Sequence, residues 1–70
     1  MEHYTNFSSS NVARISYEET SSTLEVEFHN GSIYQYYDVP QQIWSAFKDA
    51  PSKGQFIHHS LKGQYRYARV

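Results

Sequence analysis

Cysteine is absent from all 70 residues, so the chain has no disulfide framework, no thiol nucleophile and no thiolate metal site. Proline and glycine are scarce, at two and three residues, and no linker, repeat or low-complexity tract is present. No apolar run approaches the length of a signal-peptide core or a membrane span, and Met1-Glu2-His3 carries no basic leader. An unexported, cytoplasmic protein with no membrane role is therefore expected. Strong charge of either sign is also missing. A net charge of −1 argues against a general polyanion binder.

What the chain does have is aromatic mass. Seven Tyr, four Phe and one Trp supply apolar area to a single domain whose core can yield only a few kcal/mol of net stability at this size. The ordinary role of any one of these rings is core filling. Charge is polarised: residues 51–70 hold Lys53, Lys62, Arg66 and Arg69 with no acid, whereas all seven acids lie in residues 1–50 beside Arg14 and Lys48.

Residues 1–9 read as a flexible Ser/Thr-rich lead without period, and residues 10–70 as one domain. Val12, Ala13, Ile15 and Tyr17, with Arg14 and Ser16 between them, predict a short first strand. Leu24, Val26 and Phe28 alternate with Thr23, Glu25, Glu27 and His29, the period-2 pattern of a strand with one buried face. Asn30-Gly31 tolerates the positive φ of a hairpin turn, and Ser32 to Tyr37 returns as a third strand.

Two registers are open for that hairpin. A two-residue loop pairs Phe28 with Ile33 and puts Tyr34 and Tyr36 on the wet face. A three-residue loop with a bulge at Gly31 pairs Val26 with Tyr34 and Leu24 with Tyr36, burying the tyrosines and exposing Gln35. The second is favoured, because burying Gln35 without partners would cost roughly 1–3 kcal/mol.

Val39-Pro40 ends the strand and suits the first turn of a helix on which Ile43, Trp44, Phe47 and Ala50 share a face. Pro51 breaks it. Ser52-Lys53-Gly54-Gln55 has the form of a capping box for a second helix through Leu61, with Phe56, Ile57 and Leu61 apolar. Gly63 stops that helix, and Tyr65, Tyr67 and Val70 alternate with Gln64, Arg66 and Arg69 in an extended segment. The fold class is thus α+β: a three-stranded antiparallel β-meander, then two short helices packed on one face, then a C-terminal segment that adds a strand in one reading and remains a tail in the other.

In order, Ser10-Asn11-Val12-Ala13, Leu24-x-Val26-x-Phe28, Asn30-Gly31, Tyr34-x-Tyr36, Val39-Pro40, Ser52-x-Gly54-x-Phe56 and Tyr65 resemble the KTSC domain. The resemblance runs from Ser10 to Val70. It is carried by the order and spacing of short motifs, the central Tyr-x-Tyr above all. That family takes its name from a domain at the C-terminus of some lysyl-tRNA synthetases, and it also occurs as small stand-alone bacterial and phage proteins, the kind this chain resembles. The resemblance implies no set activity; its synthetase association suggests RNA binding.

Lys62, Arg66 and Arg69 interleave with Tyr65 and Tyr67, supplying cations for phosphate and rings for base stacking. The plain alternative is a tail that docks its tyrosines and leaves its arginines solvated. Tyr65 and Tyr67 share a parity in an extended segment, so they would turn to one side together. Lys53 joins the basic set, with Tyr34 and Tyr36 as further stacking candidates. Ser52 and Gly54 mark a helix N-terminus that could hold an anion, though helix capping explains Ser52. Gly54 is a poor helix former that allows close approach of another backbone or a ligand.

His58 and His59 diverge by about 100° on a helix, and His3 and His29 have no ligand spacing, so no metal site is expected. Ser60, His59 and Asp38 lack the context of a catalytic triad. Glu25 and Glu27 are explained by a wet strand face. Neither an enzyme nor a cofactor is expected. Two classes of function remain: nucleic-acid binding, foremost RNA or another single strand, and protein interaction through a tyrosine face or open sheet edge. A monomer is expected, with a dimer left open.

Overall fold

The structure, a computed structural model, describes all of residues 1–70. Five strands form one antiparallel sheet in the sequential order β1 (Glu2–Tyr4), β2 (Val12–Glu18), β3 (Thr23–Phe28), β4 (Ile33–Tyr36) and β5 (Tyr67–Arg69). This corrects the expected three-stranded meander at its N-terminal end and, at the C-terminal end, decides for the reading in which the last segment adds a strand. Glu2–Tyr4, within the lead read as frayed, pairs with Tyr17, Ser16 and Ile15. Tyr67–Arg69 pairs with Tyr36, Gln35 and Tyr34, so the C-terminal segment is an edge strand.

The β3–β4 hairpin adopts the three-residue register, with Val26 opposite Tyr34 and Leu24 opposite Tyr36. Gly31 sits at φ +91°, and the Asn30 side chain accepts from the Ser32 N–H at 2.9 Å. Gln35 faces away from the core and donates to Glu25 at 2.9 Å, so neither polar group is buried without a partner.

A β-bulge between Val12 and Arg14 resets the alternation of β2. Val12, Ile15 and Tyr17 can all face inward despite their uneven spacing. The outer face of the sheet is polar: Arg14 pairs with Glu27 at 2.9 Å and lies 3.9 Å from Glu25.

Helix α1 (Gln41–Asp49) follows Pro40, which occupies the N-cap rather than the first turn; its carbonyl accepts from Ile43 and Trp44. Trp44 and Phe47 are buried from that helix. Trp44 stacks on Tyr17, whose hydroxyl donates to the Val39 carbonyl at 2.6 Å. Helix α2 (Lys53–Phe56) is capped by the Ser52 hydroxyl, which accepts from the Gln55 N–H. It runs on into a π-helical turn, Ile57–Leu61, that brings Ile57 and Leu61 into the core together. Gly63, at φ +80°, then turns the chain back toward β5. Helices and inner sheet face enclose one cluster of eleven buried side chains. No helix is long and apolar enough to cross a membrane.

Candidate functional site

Where β4 and β5 meet the π-helical turn, Phe28, Tyr34, Tyr36, Ile57, Lys62 and Tyr67 line a cleft of about 340 Å³. The strand register creates it. Tyr36 lies opposite Tyr67 and Tyr34 opposite Arg69, so all four side chains share the helix-bearing side of the sheet. The rings touch in series: Phe28 meets Tyr34 edge-on at 5.8 Å, and Tyr67 lies 6.0 Å from Tyr34 and 5.7 Å from Tyr36. Burial falls steeply across this series, from Tyr36 at 6% exposed to Tyr67 at 58%.

The hydroxyls of Tyr17 and Tyr37 bond to Val39 and Gln35, whereas those of Tyr34, Tyr36 and Tyr67 bond to nothing within the chain. Burial, then the neighbouring Tyr67 and Tyr34, raise the Tyr36 pKa above the usual phenol value, which keeps it a proton donor. No carboxylate lines the cleft.

The six cations of the chain divide clearly. Lys48 bonds to Glu2, Arg14 to Glu27, and Arg66 to Asp38 at 3.1 Å. Arg66 also lies 5.5 Å from the Tyr37 ring, and Tyr37 alternates away from Tyr36, so it does not join the cleft. Lys53 is inside the protein, at 5% exposed. Its ammonium donates to the carbonyls of Lys48 at 2.9 Å and Ala50 at 2.6 Å, with the Tyr4 and Phe7 rings 5.8 and 5.3 Å away. Burial lowers its pKa, with Asp49 pulling back. Only Lys62 and Arg69 are cations exposed to solvent without a carboxylate partner. Lys62 lines the cleft, and Arg69, opposite Tyr34 in the ladder, stands beside it with its guanidinium donating to the Ser32 hydroxyl at 3.2 Å.

The residues singled out from sequence therefore separate. Tyr34, Tyr36, Lys62, Tyr67 and Arg69 come together. Lys53 caps the Lys48 and Ala50 carbonyls at the end of α1, which closes at Ala50-Pro51 without a terminal glycine and with a single backbone bond from the Ala50 N–H to Phe47. That missing glycine was the sequence signal for it. Tyr65 packs half-buried against the core, and Arg66 sits on the far side. Ser52 serves as a helix cap, and open space surrounds Gly54. Phe28 and Ile57, read as core, prove to be cleft walls as well. His58 and His59 are exposed, while His3 and His29 bond to Ser16 and the Ser9 carbonyl. The hollows around Ser8 to Asn11 offer hydroxyls and that tethered His29, with one phenylalanine ring apiece and no lysine, arginine or tyrosine in their lining.

The KTSC domain model matches residues 8–65. The chain belongs to the KTSC domain family. Relatives include a lysine–tRNA ligase of Nostoc sp., 46% identical over 54 residues that make up 77% of this chain but 10% of the ligase. Another is an uncharacterised protein of Stutzerimonas stutzeri, 36% identical over 89% of each chain. The chain thus spans about a tenth of the length of the ligases it matches and nearly all of the small bacterial relative. The crystal structure of a KTSC domain protein from Yersinia pestis superposes with a TM-score of 0.85, at 31% identity over 97% of both chains. The superposition thus extends over nearly the whole of both chains, whereas the match to the family model lies between β1 and β5.

Proposed function

We propose that this KTSC domain is a binding module for nucleic acid, foremost RNA, and that the cleft at β4 and β5 is its contact site. One observation carries the reading: a tyrosine ring 58% exposed stands in an acid-free aromatic cleft flanked by the two cations that no carboxylate neutralises. Rings of this kind stack on bases, and Lys and Arg neutralise phosphate. The relationship to lysine–tRNA ligases, proteins named for joining lysine to an RNA, lends support. The reading involves no catalysis, cofactor or metal.

A protein partner is the second reading, supported by the free outer edge of β5, which pairs only with β4, and by the suitability of tyrosine for interfaces. Salt separates the two. An amide chemical-shift titration with single-stranded RNA, tRNA and duplex DNA, run at low and moderate salt, should move Tyr34, Tyr36, Lys62, Tyr67 and Arg69 with at least one of them. The Lys62→Ala/Arg69→Ala double variant should bind several-fold more weakly and lose most of the salt dependence. No shift with any of the three at low salt would sink the nucleic-acid reading and leave the protein partner as the leading one.

A further inference from the structure

Resting on that reading, we infer that the cleft takes an unpaired base of a single strand, stacked against Tyr67, and that stacking outweighs phosphate contact in holding it. The cation count comes first. With Lys53 turned inward and Lys48, Arg14 and Arg66 each paired to a carboxylate, two cations remain for phosphate, Lys62 and Arg69. A duplex reader working through its backbone needs a broader basic surface than two side chains on a chain of net charge −1.

The rings point the same way. Tyr67 is inclined by 41° to Tyr34 and by 35° to Tyr36. The three rings are splayed and do not close on one another as parallel plates. Their hydroxyls carry no internal bonds, which leaves them available to base edges. Stacking of this kind tolerates any base but needs an exposed base face, and in a duplex those faces are covered by neighbouring pairs.

Charge segregation fixes the side of approach. Glu25 and Glu27 lie with Arg14 on the outer face of the sheet, while Lys62 and Arg69 stand at the inner-side cleft. A polyanion is drawn to the tyrosines and repelled by the opposite face.

The test is a fluorescence-anisotropy titration of the intact protein with a labelled oligouridylate and with the same strand annealed to its complement. Wild type is compared with Tyr67→Ala and Tyr67→Phe, with circular dichroism on each variant. The single strand should bind better than the duplex. Its log K against log salt should have a slope of about −1.4, the value for two phosphate contacts on a single strand. Tyr67→Ala should weaken it by about tenfold with the fold intact, and Tyr67→Phe, which keeps the ring, should bind like wild type.

Equal binding of duplex and single strand, or a folded Tyr67→Ala variant with unchanged affinity, would overturn the base-stacking inference while leaving nucleic-acid binding in place. Loss of affinity in Tyr67→Phe would overturn stacking in favour of a hydroxyl contact. Failure of the wild type to bind either form would remove the broader reading along with the inference.

Discussion

The two edges of the sheet use the same ingredients to opposite ends. β1 and β5 are each three residues long, and each brings a tyrosine close to a lysine. At the β1 edge, Tyr4 and Phe7 lie stacked at 5.9 Å with the Lys53 ammonium close to both rings, and two helix carbonyls take up that ammonium's hydrogens. At the β5 edge, Tyr67 is exposed and Lys62 has no partner. A ring beside a cation is therefore no sign of a binding site by itself. What distinguishes a site is whether donors, acceptors and ring faces are already occupied from within. The orphan carbonyls of α1 decide it: they accept from the Lys53 ammonium, whereas the Lys62 ammonium makes no hydrogen bond within the chain.

The sharpest way to break the comparison is Lys53→Met. If Lys53 is a structural cap, its loss leaves the Lys48 and Ala50 carbonyls without a donor and should cost about 2–3 kcal/mol in urea unfolding. A variant as stable as wild type would erase the difference between the edges. At the open edge, Tyr67→Ala should cost less than about 1 kcal/mol, since so much of the ring is already in water. A larger loss would make Tyr67 a structural residue.

The smallest effect concerns the ion pairs over β1. Glu2 has its pKa lowered from 4.5, chiefly by the hydrogen bond from Lys48, with a pull from the nearby Trp44 indole N–H that stops short of a formed hydrogen bond. Glu18 is lowered mainly by the N-terminal ammonium, 3.3 Å away. A depressed carboxylate stabilises the fold above its unfolded pKa and loses that contribution as pH falls through the folded value. Amide shifts of Glu2–Tyr4 should therefore drift toward those of a free strand as pH drops below about 4.5. Persistence of the docked shifts in acid would show that the aromatic contacts, and not the ion pairs, hold this edge.

Legibility in the sequence followed the range of the interactions involved. The β3–β4 register could be read because Asn30-Gly31 demands a turn and Gln35 resists burial, both within ten residues. The apolar face of α1 was legible from its spacing. β1 was not: three residues without alternation carry no periodic signal, and they become a strand only because β2 offers an open edge. The role of β5 was half legible, since its extended form shows in the alternation while its pairing depends on where Gly63 turns the chain. Of the site, the tyrosines and the cations Lys62 and Arg69 were named from sequence, but so were Lys53, Arg66 and Tyr65, which the fold sends elsewhere.

By itself, then, the sequence determined the period-2 strands, the hairpin register, the helix face and the stop at Gly63, because each follows from backbone geometry and side-chain preference over a few neighbouring residues. The tertiary structure alone decided which lysine is consumed and which is left free. Lys53 is buried because Tyr4 and Phe7 close over it where it caps the carbonyls of Lys48 and Ala50 at the end of α1, whereas Lys62 stays exposed in the cleft and hydrogen-bonds to nothing within the chain. The capped carbonyls lie only five and three residues back from Lys53, but no local pattern encodes the arrival of Tyr4 and Phe7 from the other end of the chain.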